Sequence, residues 1–316
     1  MSLLPDRLTD PLYWQSLMPE LTFSAERAYP GEEVAAPVAA AAALRADVLG
    51  HGFHVGATGL PQAHELARGA QRLVRAGLHP NWLLLADEVW LLTRTFRPLL
   101  RAAFPGQRLI ADHYVFLVNP ADPTARRGWA PHRDCDDMGF TAGVPRYVTT
   151  WIALTDASTA NGCMYLLPAS DDPIYATYDD SDVLVDPQAA LALPGPAGTP
   201  LFGTGRVLHW GGRAAPIGPP APMRLSLSLA SAELDYERSS LEIYDTSELP
   251  SLAQRVELVF SQVDRYKHRL PHVADEFAQI RHQALGGPRQ PPAPWLAGRR
   301  RRGAGRPSPS PSTLRA

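Results

Sequence analysis

The first third of the chain carries its apolar residues at helical spacing, after an irregular start. Over residues 1–34, prolines and a glycine interrupt short apolar stretches, which favours irregular structure. The next two segments with helical spacing each end at a glycine, and Asp87 can be the N-cap of a third such segment. A short strand is predicted over 52–55. The predicted helices cover 35–49, 60–76 and 87–103.

From residue 108 onward the pattern changes to short apolar runs separated by proline, glycine, asparagine and aspartate. This pattern is typical of an antiparallel barrel or sandwich, and each run has the ordinary length of a strand, about 5 to 10 residues. The predicted strands cover 109–118, 147–154, 163–167, 205–210 and 224–230. A helical pattern returns over 251–270, so the chain is predicted to be mainly β with flanking helices.

The strand over 224–230 alternates strictly between polar and apolar residues. Its inner face would therefore carry Arg224, Ser226 and Ser228. An arginine inside a β barrel is costly unless it meets an anion, so a bound carboxylate is the natural partner of Arg224. The guanidinium group of an arginine suits bidentate binding of a carboxylate.

Charge is unevenly distributed, although the whole chain holds 30 basic and 32 acidic residues. Seven arginines and no acidic residue lie in 287–316, so the remainder has 23 basic against 32 acidic residues. An acidic body argues against nucleic-acid binding, because phosphate backbones require clustered Lys and Arg. The tail over 287–316 is rich in proline and arginine, and we expect it to be disordered.

The sequence shows no feature of secretion or membrane insertion. The N-terminus lacks a basic start followed by an apolar segment, and only two cysteines are present. The apolar run over 34–44 is well below the roughly 18 to 20 residues of a membrane span. We therefore expect a cytoplasmic protein without a membrane partner, whose oligomeric state the sequence leaves open.

The motif Trp129-Ala-Pro-His132-Arg-Asp134 is the first that suggests chemistry. Side chains two apart on a strand share a face, so His132 and Asp134 could bind one metal ion. They would form part of a facial triad of two histidines and one carboxylate. The pair alone is a weak signal, since a surface histidine beside an aspartate is common. His209 strengthens it, because it lies near the end of a short apolar strand 75 residues beyond Asp134.

Five motifs follow one another in a recognisable order. They are His132-Arg-Asp134, the segment YVTTWIALTD over 147–156, the segment NGCMYLLPAS over 161–170, His209, and Arg224-Leu-Ser226. With these motifs the chain resembles, over about 114–230, the phytanoyl-CoA dioxygenase-like family of Fe(II)- and 2-oxoglutarate-dependent oxygenases. The resemblance implies a double-stranded β-helix core of the jelly-roll, cupin-like type. The chain departs from the family at 168–171, with Pro-Ala-Ser-Asp where the family often has Pro-Gly-Ser-His.

The resemblance also implies the residues of the site. The implied Fe(II) ligands are His132, Asp134 and His209. The residues implied for 2-oxoglutarate are Arg224, Ser226, Trp151 and Thr149, of which Arg224 and Ser226 would bind the distal carboxylate. Arg213 is an alternative to Arg224, because it lies closer to His209 in the sequence.

The implied reaction uses O2 and 2-oxoglutarate to oxidise an unactivated C–H bond of a small molecule, with release of succinate and CO2. Asp134 favours hydroxylation over halogenation, because halide-transferring relatives have a small residue in place of the carboxylate. Two alternatives stay open: a cupin-like metal-binding protein without turnover, and a zinc-dependent isomerase or hydrolase on the same barrel.

The substrate is the least defined feature. Asp136 and Asp137 follow the metal motif and could attract a cationic group, although solvated loop carboxylates are the simpler interpretation. The core shows no basic patch for a coenzyme A phosphate, which favours natural-product biosynthesis over lipid catabolism.

One oxygenase domain is predicted over 1–286. Its predicted parts are a helical part over about 35–103, a β-helix core over about 108–232 and a C-terminal helix over about 251–270.

Overall fold

Two antiparallel sheets form the centre of the protein. The computed structural model describes residues 7–25, 27–29, 33–135, 139–177, 186–215, 221–233, 236, 248–269 and 271–285. The helices are α1 Pro11–Leu17, α2 Val38–His51, α3 Gln62–Arg75, α4 Asp87–Ala103, α5 Leu252–Arg265 and α6 Pro271–Leu285, with a 3₁₀ helix over Pro80–Leu85. The strands are β1 Arg27–Ala28, β2 Phe53–Val55, β3 Gln107–Val118, β4 Phe140–Thr141, β5 Val144–Pro145, β6 Tyr147–Ala153, β7 Met164–Leu166, β8 Leu191–Leu193, β9 Pro200–Thr204, β10 His209–Gly211, β11 Arg224–Glu233 and β12 Glu248–Leu249.

The larger sheet has five strands in the order β2-β9-β6-β11-β3, and each neighbouring pair is antiparallel. The smaller sheet has the order β10-β7-β8. An isolated bridge between His132 and His209 extends the smaller sheet beyond β10. The predicted arrangement, a β core with flanking helices, is confirmed.

Side-chain alternation gives the larger sheet two different apolar faces. One face packs against the helices, through residues such as Ile152 on β6 and Leu227 on β11. The other face meets the smaller sheet, where Trp151, Leu201 and Met164 belong to one buried cluster. On β11 the polar residues therefore point between the two sheets, as the alternation predicted.

The predicted strand over 205–210 is wrong. The chain leaves the sheet after β9, makes a turn, and enters the smaller sheet only at His209. At this turn the buried Arg206 donates from Nη2 to the carbonyl of Ile174 at 3.1 Å. A Cβ on Gly205 would lie 2.1 Å from Sγ of Cys135, so the backbone turns where the two segments touch.

The helices differ from the predicted ones mainly at α1, at the predicted C-terminal helix and in the cap of α4. Helix α1 lies within the region predicted to be irregular, where Asp10 caps it and Pro11 begins it. The predicted helix over 251–270 ends at Arg265, and a further helix, α6, begins at Pro271. Asp87 does not cap α4; its carboxylate instead accepts a hydrogen bond from Arg255 at 2.6 Å.

Two other predictions meet the limits of the described residues. The tail over 287–316 lies outside them, so its predicted disorder and the domain boundary before it stay predictions. Among the described helices, none has the length and apolar character needed to cross a membrane.

Candidate active site

Three potential metal ligands meet where the smaller sheet is extended by its isolated bridge. His132 and His209 face each other across that bridge, with ring centroids 4.3 Å apart. Oδ1 of Asp134 lies 3.6 Å from Nε2 of His132 and 3.8 Å from Nε2 of His209. One ligand atom from each residue lies within 4.8 Å of the others. Among the described residues, this group of three side chains, termed the metal cluster, is the one that could hold a metal ion.

Backbone carbonyls orient both imidazole rings. Nδ1 of His132 lies 2.7 Å from the carbonyl of Ala130, and Nδ1 of His209 lies 3.0 Å from the carbonyl of Val207. Because a carbonyl only accepts, each Nδ1 carries a hydrogen, and Nε2 is the ring nitrogen that is turned towards Asp134. Burial, followed by the nearby His209, lowers the pKa of His132 to about 3. His132 is therefore neutral at neutral pH, the form that binds a metal ion.

Thr149 orients the carboxylate of the cluster. Its Oγ1 donates to Oδ2 of Asp134 at 2.6 Å, while Oδ1 faces the two histidines. Thr149 stands on the inner face of β6 and also lines the cavity between the sheets. The family resemblance implied a contact of Thr149 with the cosubstrate. The contact with Asp134 was not foreseen, because it joins two segments that only the fold brings together.

Arg224 is buried on the inner face of β11, with 2% of its surface exposed. Its Nη1 donates to Oγ of Ser226 at 2.8 Å, and its Cζ lies 5.7 Å from the ring centre of Trp151. Its Nε has no hydrogen-bond partner, and no carboxylate of the described residues is paired with it. Burial lowers the pKa of Arg224 to about 10, so the side chain stays cationic at neutral pH. Such a charge requires an anion.

The other predicted site residues occupy different environments. Arg213 is exposed, forms a backbone bridge with Arg127, and is absent from the residues that line the cavity. This placement favours Arg224 as the carboxylate receptor. Asp136 and Asp137 lie outside the described residues, so their predicted role in substrate binding stays a prediction.

The cavity also contains a group that the sequence analysis missed. Oη of Tyr147 donates to Oδ2 of Asp112 at 2.9 Å, and Oη of Tyr266 donates to Oδ1 at 2.7 Å. All three residues line the cavity together with the metal cluster and Arg224. The alternation of β3 could have indicated that Asp112 points inward. Tyr266 follows α5, and no local signal connects it to the barrel.

The residues present fit an iron ion and 2-oxoglutarate. Two neutral imidazoles and one carboxylate are the donor set of non-heme iron sites with open positions. The buried, unmatched charge of Arg224 fits the far carboxylate of a dicarboxylate. Both groups line one cavity, so a single small molecule could contact the metal ion and the guanidinium together.

Comparison with known proteins agrees with this geometry. The family described as phytanoyl-CoA dioxygenase (PhyH) matches residues 25–214. No match was found among curated proteins. The solved structure described as non-heme monooxygenase ThoJ, in its apo form, is 16% identical, with a TM-score of 0.52 over 73% of this chain and 99% of that chain.

A second similar structure is the α-ketoglutarate dependent epimerase SnoN from nogalamycin biosynthesis. It is 20% identical, with a TM-score of 0.47 over 62% of this chain and 84% of that chain. The likeness to ThoJ agrees with the predicted double-stranded β-helix core, which is confirmed. The family match spans more than half of the chain and includes all three residues of the metal cluster. The chain therefore belongs to the phytanoyl-CoA dioxygenase family of non-heme iron- and 2-oxoglutarate-dependent oxygenases.

Proposed function

We propose that the protein is an Fe(II)- and 2-oxoglutarate-dependent dioxygenase that hydroxylates an unactivated C–H bond of a small molecule. The products from the cosubstrate are succinate and CO2. One observation carries the proposal: the cluster of His132, Asp134 and His209 shares its cavity with Arg224, a buried cation that no described carboxylate neutralises.

The chain's own residues would bind and orient the reactants. His132, Asp134 and His209 would hold the iron, with Thr149 keeping the carboxylate of Asp134 turned towards the histidines. When bound, iron, 2-oxoglutarate and O2 together supply the oxidising power that cleaves the C–H bond.

Arg224 and Ser226 would bind the distal carboxylate of 2-oxoglutarate. The charge of Arg224 is already in position, because its bond to Ser226 and the ring of Trp151 hold the guanidinium. Apolar residues, among them Met164 and Leu201, line the same cavity and would limit the access of water to this ion pair. A carboxylate bound in such surroundings interacts with the guanidinium more strongly than it would in bulk water.

Asp134 supports hydroxylation rather than halide transfer, because its carboxylate would take the place on the iron that a halide would need. The expected cytoplasmic location and a role in natural-product biosynthesis are part of the same proposal.

The experiment is an anaerobic titration of the full-length protein with Fe(II) and then with 2-oxoglutarate. We expect a weak visible charge-transfer band that requires both additions. Slow succinate formation should follow once air is admitted together with ascorbate, which supplies the two electrons that the absent substrate would otherwise provide. His132→Ala and Asp134→Ala should abolish both signals. If the band is absent and the protein binds zinc tightly and has isomerase or hydrolase activity, the proposal is wrong and the protein is a zinc-dependent enzyme. A band without any succinate would identify a binding protein.

A further inference from the structure

We propose that the substrate carries an anionic group and that Arg265 and Arg269 bind this group at the entrance to the cavity. The inference rests on the proposed function, since it names the substrate class of the same site. It starts from a second cavity, the outer cleft, which shares part of its wall with the cavity that contains Arg224.

This outer cleft has a volume of about 320 Å³. It shares Trp129, His132, Asp134 and Tyr266 with the inner cavity that contains Arg224. A molecule in the outer cleft is therefore in contact with residues of the metal cluster, while 2-oxoglutarate would occupy the inner cavity. This position is the one that the substrate needs, because the hydrogen to be removed must face the iron.

The described lining of the outer cleft is basic. Arg265 ends α5, and the following turn contributes His268 and Arg269. Asp134 is the acidic residue among the described lining residues, and in the proposed enzyme its charge is used by the iron. The cleft therefore presents guanidinium groups beside the cluster, and such groups bind carboxylate or phosphate through paired hydrogen bonds.

A fourth basic residue of the lining, Arg133, has a different role. It bonds through both terminal nitrogens to the buried carboxylate of Asp172, at 2.6 and 3.0 Å. The positive charge of Arg133 is therefore balanced by the carboxylate of Asp172 inside the protein. The charge of Arg265 is matched only in part, because its Nη2 lies 3.8 Å from Asp112, which already accepts hydrogen bonds from two tyrosines.

Aromatic rings position Arg269 and form the rest of the wall. Cζ of Arg269 lies 4.9 Å from the ring centre of Trp129, within the range of a cation–π contact. The rings of Trp129 and Tyr266 are also 4.9 Å apart. The cleft thus combines an apolar wall with cationic side chains, which suits a small molecule with an apolar body and one anionic group. This charge preference is opposite to the one predicted from Asp136 and Asp137.

The test compares how tightly the protein binds probes of similar shape and different charge. Binding is measured by calorimetry on the full-length protein with Fe(II) and saturating 2-oxoglutarate, without oxygen. The probes are 4-phenylbutyrate, the neutral 4-phenylbutanamide and the cationic 4-phenylbutylamine. We expect the carboxylate to bind at least about tenfold more tightly than the amide, the gain typical of hydrogen bonds to charged groups. Phenyl phosphate is added as a second anion, and its tighter binding would identify a phosphate-bearing substrate.

Variants then assign the preference to the cleft. Arg269→Gln should remove the tenfold difference, Arg269→Lys should keep most of it, and Arg265→Gln should reduce it. Lys267→Gln is the matched control: it removes one positive charge from the same turn, but Lys267 is 62% exposed, pairs with Asp264, and does not line the cleft. Circular dichroism of each variant checks that its fold is intact.

The outcomes separate this inference from the proposed function. Equal or tighter binding of the amide or amine would overturn the inference, as would a preference that survives both Arg269→Gln and Arg265→Gln. The visible band of iron with 2-oxoglutarate, recorded in the same samples, reports the proposed function independently. If the band of iron with 2-oxoglutarate is present but the carboxylate probe is not preferred, only the inference about the substrate is wrong. If the preference is present and depends on Arg269 but the band is missing, only the proposed function is wrong.

Discussion

The hydroxyl of Thr149 donates to the carboxylate of Asp134 at 2.6 Å, so that a strand inside the larger sheet orients a residue of the metal cluster. Asp134 itself lies at a bend outside the named strands. The hydrogen bond holds Oδ2, while Oδ1 faces the two histidines. The geometry of the cluster therefore depends on a residue that does not belong to it.

Thr149→Val should weaken metal binding, since it keeps the shape of the side chain and removes the hydroxyl. Hydrogen bonds that orient metal ligands typically change metal affinity by about 10- to 100-fold. Metal titration of the purified variant measures the change. The control is Thr150→Val, because Thr150 is buried on the opposite face of β6 and its Oγ1 has no hydrogen-bond partner. Equal metal affinity in the two variants would refute an orienting role for Thr149.

Arg224→Gln should raise the concentration of 2-oxoglutarate needed for half-maximal binding and leave the affinity for iron nearly unchanged. The loss of hydrogen bonds between two charged groups is worth about 1.5 to 3 kcal/mol, or roughly 10- to 100-fold in affinity. Arg213→Gln is the control, because Arg213 is exposed and does not line the cavity. The reverse result, in which only Arg213→Gln weakens 2-oxoglutarate binding, would transfer the role to Arg213.

Gly205→Ala should destabilise the protein and weaken metal binding. The new Cβ would lie 2.1 Å from Sγ of Cys135, the residue next to Asp134, so one of the two segments must move. Overpacking of this kind costs about 1 to 3 kcal/mol. Gly203→Ala is the matched control two residues earlier, because a Cβ there has no neighbour within 4 Å. Urea denaturation compares the two, and similar midpoints would show that the turn has room for a side chain.

Arg255→Met should destabilise the helical side of the protein. Arg255 is fully buried and donates at 2.6 Å to Asp87, which is also buried. Removing one partner of a buried ion pair leaves an unmatched charge and typically costs about 3 to 5 kcal/mol. Arg281→Met is the control, since the pair of Arg281 with Glu257 is partly exposed and such pairs contribute about 0 to 1 kcal/mol. A loss in the free energy of unfolding no larger than that of the control would contradict this assignment.

The sequence by itself determined the inner face of β11 and suggested which residues could bind a metal ion. Strict alternation put Arg224 and Ser226 on the inner face of β11, and the family resemblance implied His132, Asp134 and His209 as one set of ligands. These features are local: the side-chain period of a strand is two residues, and a motif keeps its residue types whatever surrounds it. They were sufficient to predict the β core and the family.

Only the tertiary structure decided which distant groups share the cavity. Asp112 and Tyr266 are 154 positions apart and bond directly, and the basic cleft exists because the end of α5 reaches the metal cluster. The predicted strand over 205–210 failed for the same reason, since the close approach of Gly205 to Cys135 is absent from the local pattern. Contacts between segments far apart in the chain depend on how whole elements pack, and residue periodicity carries no information about that packing.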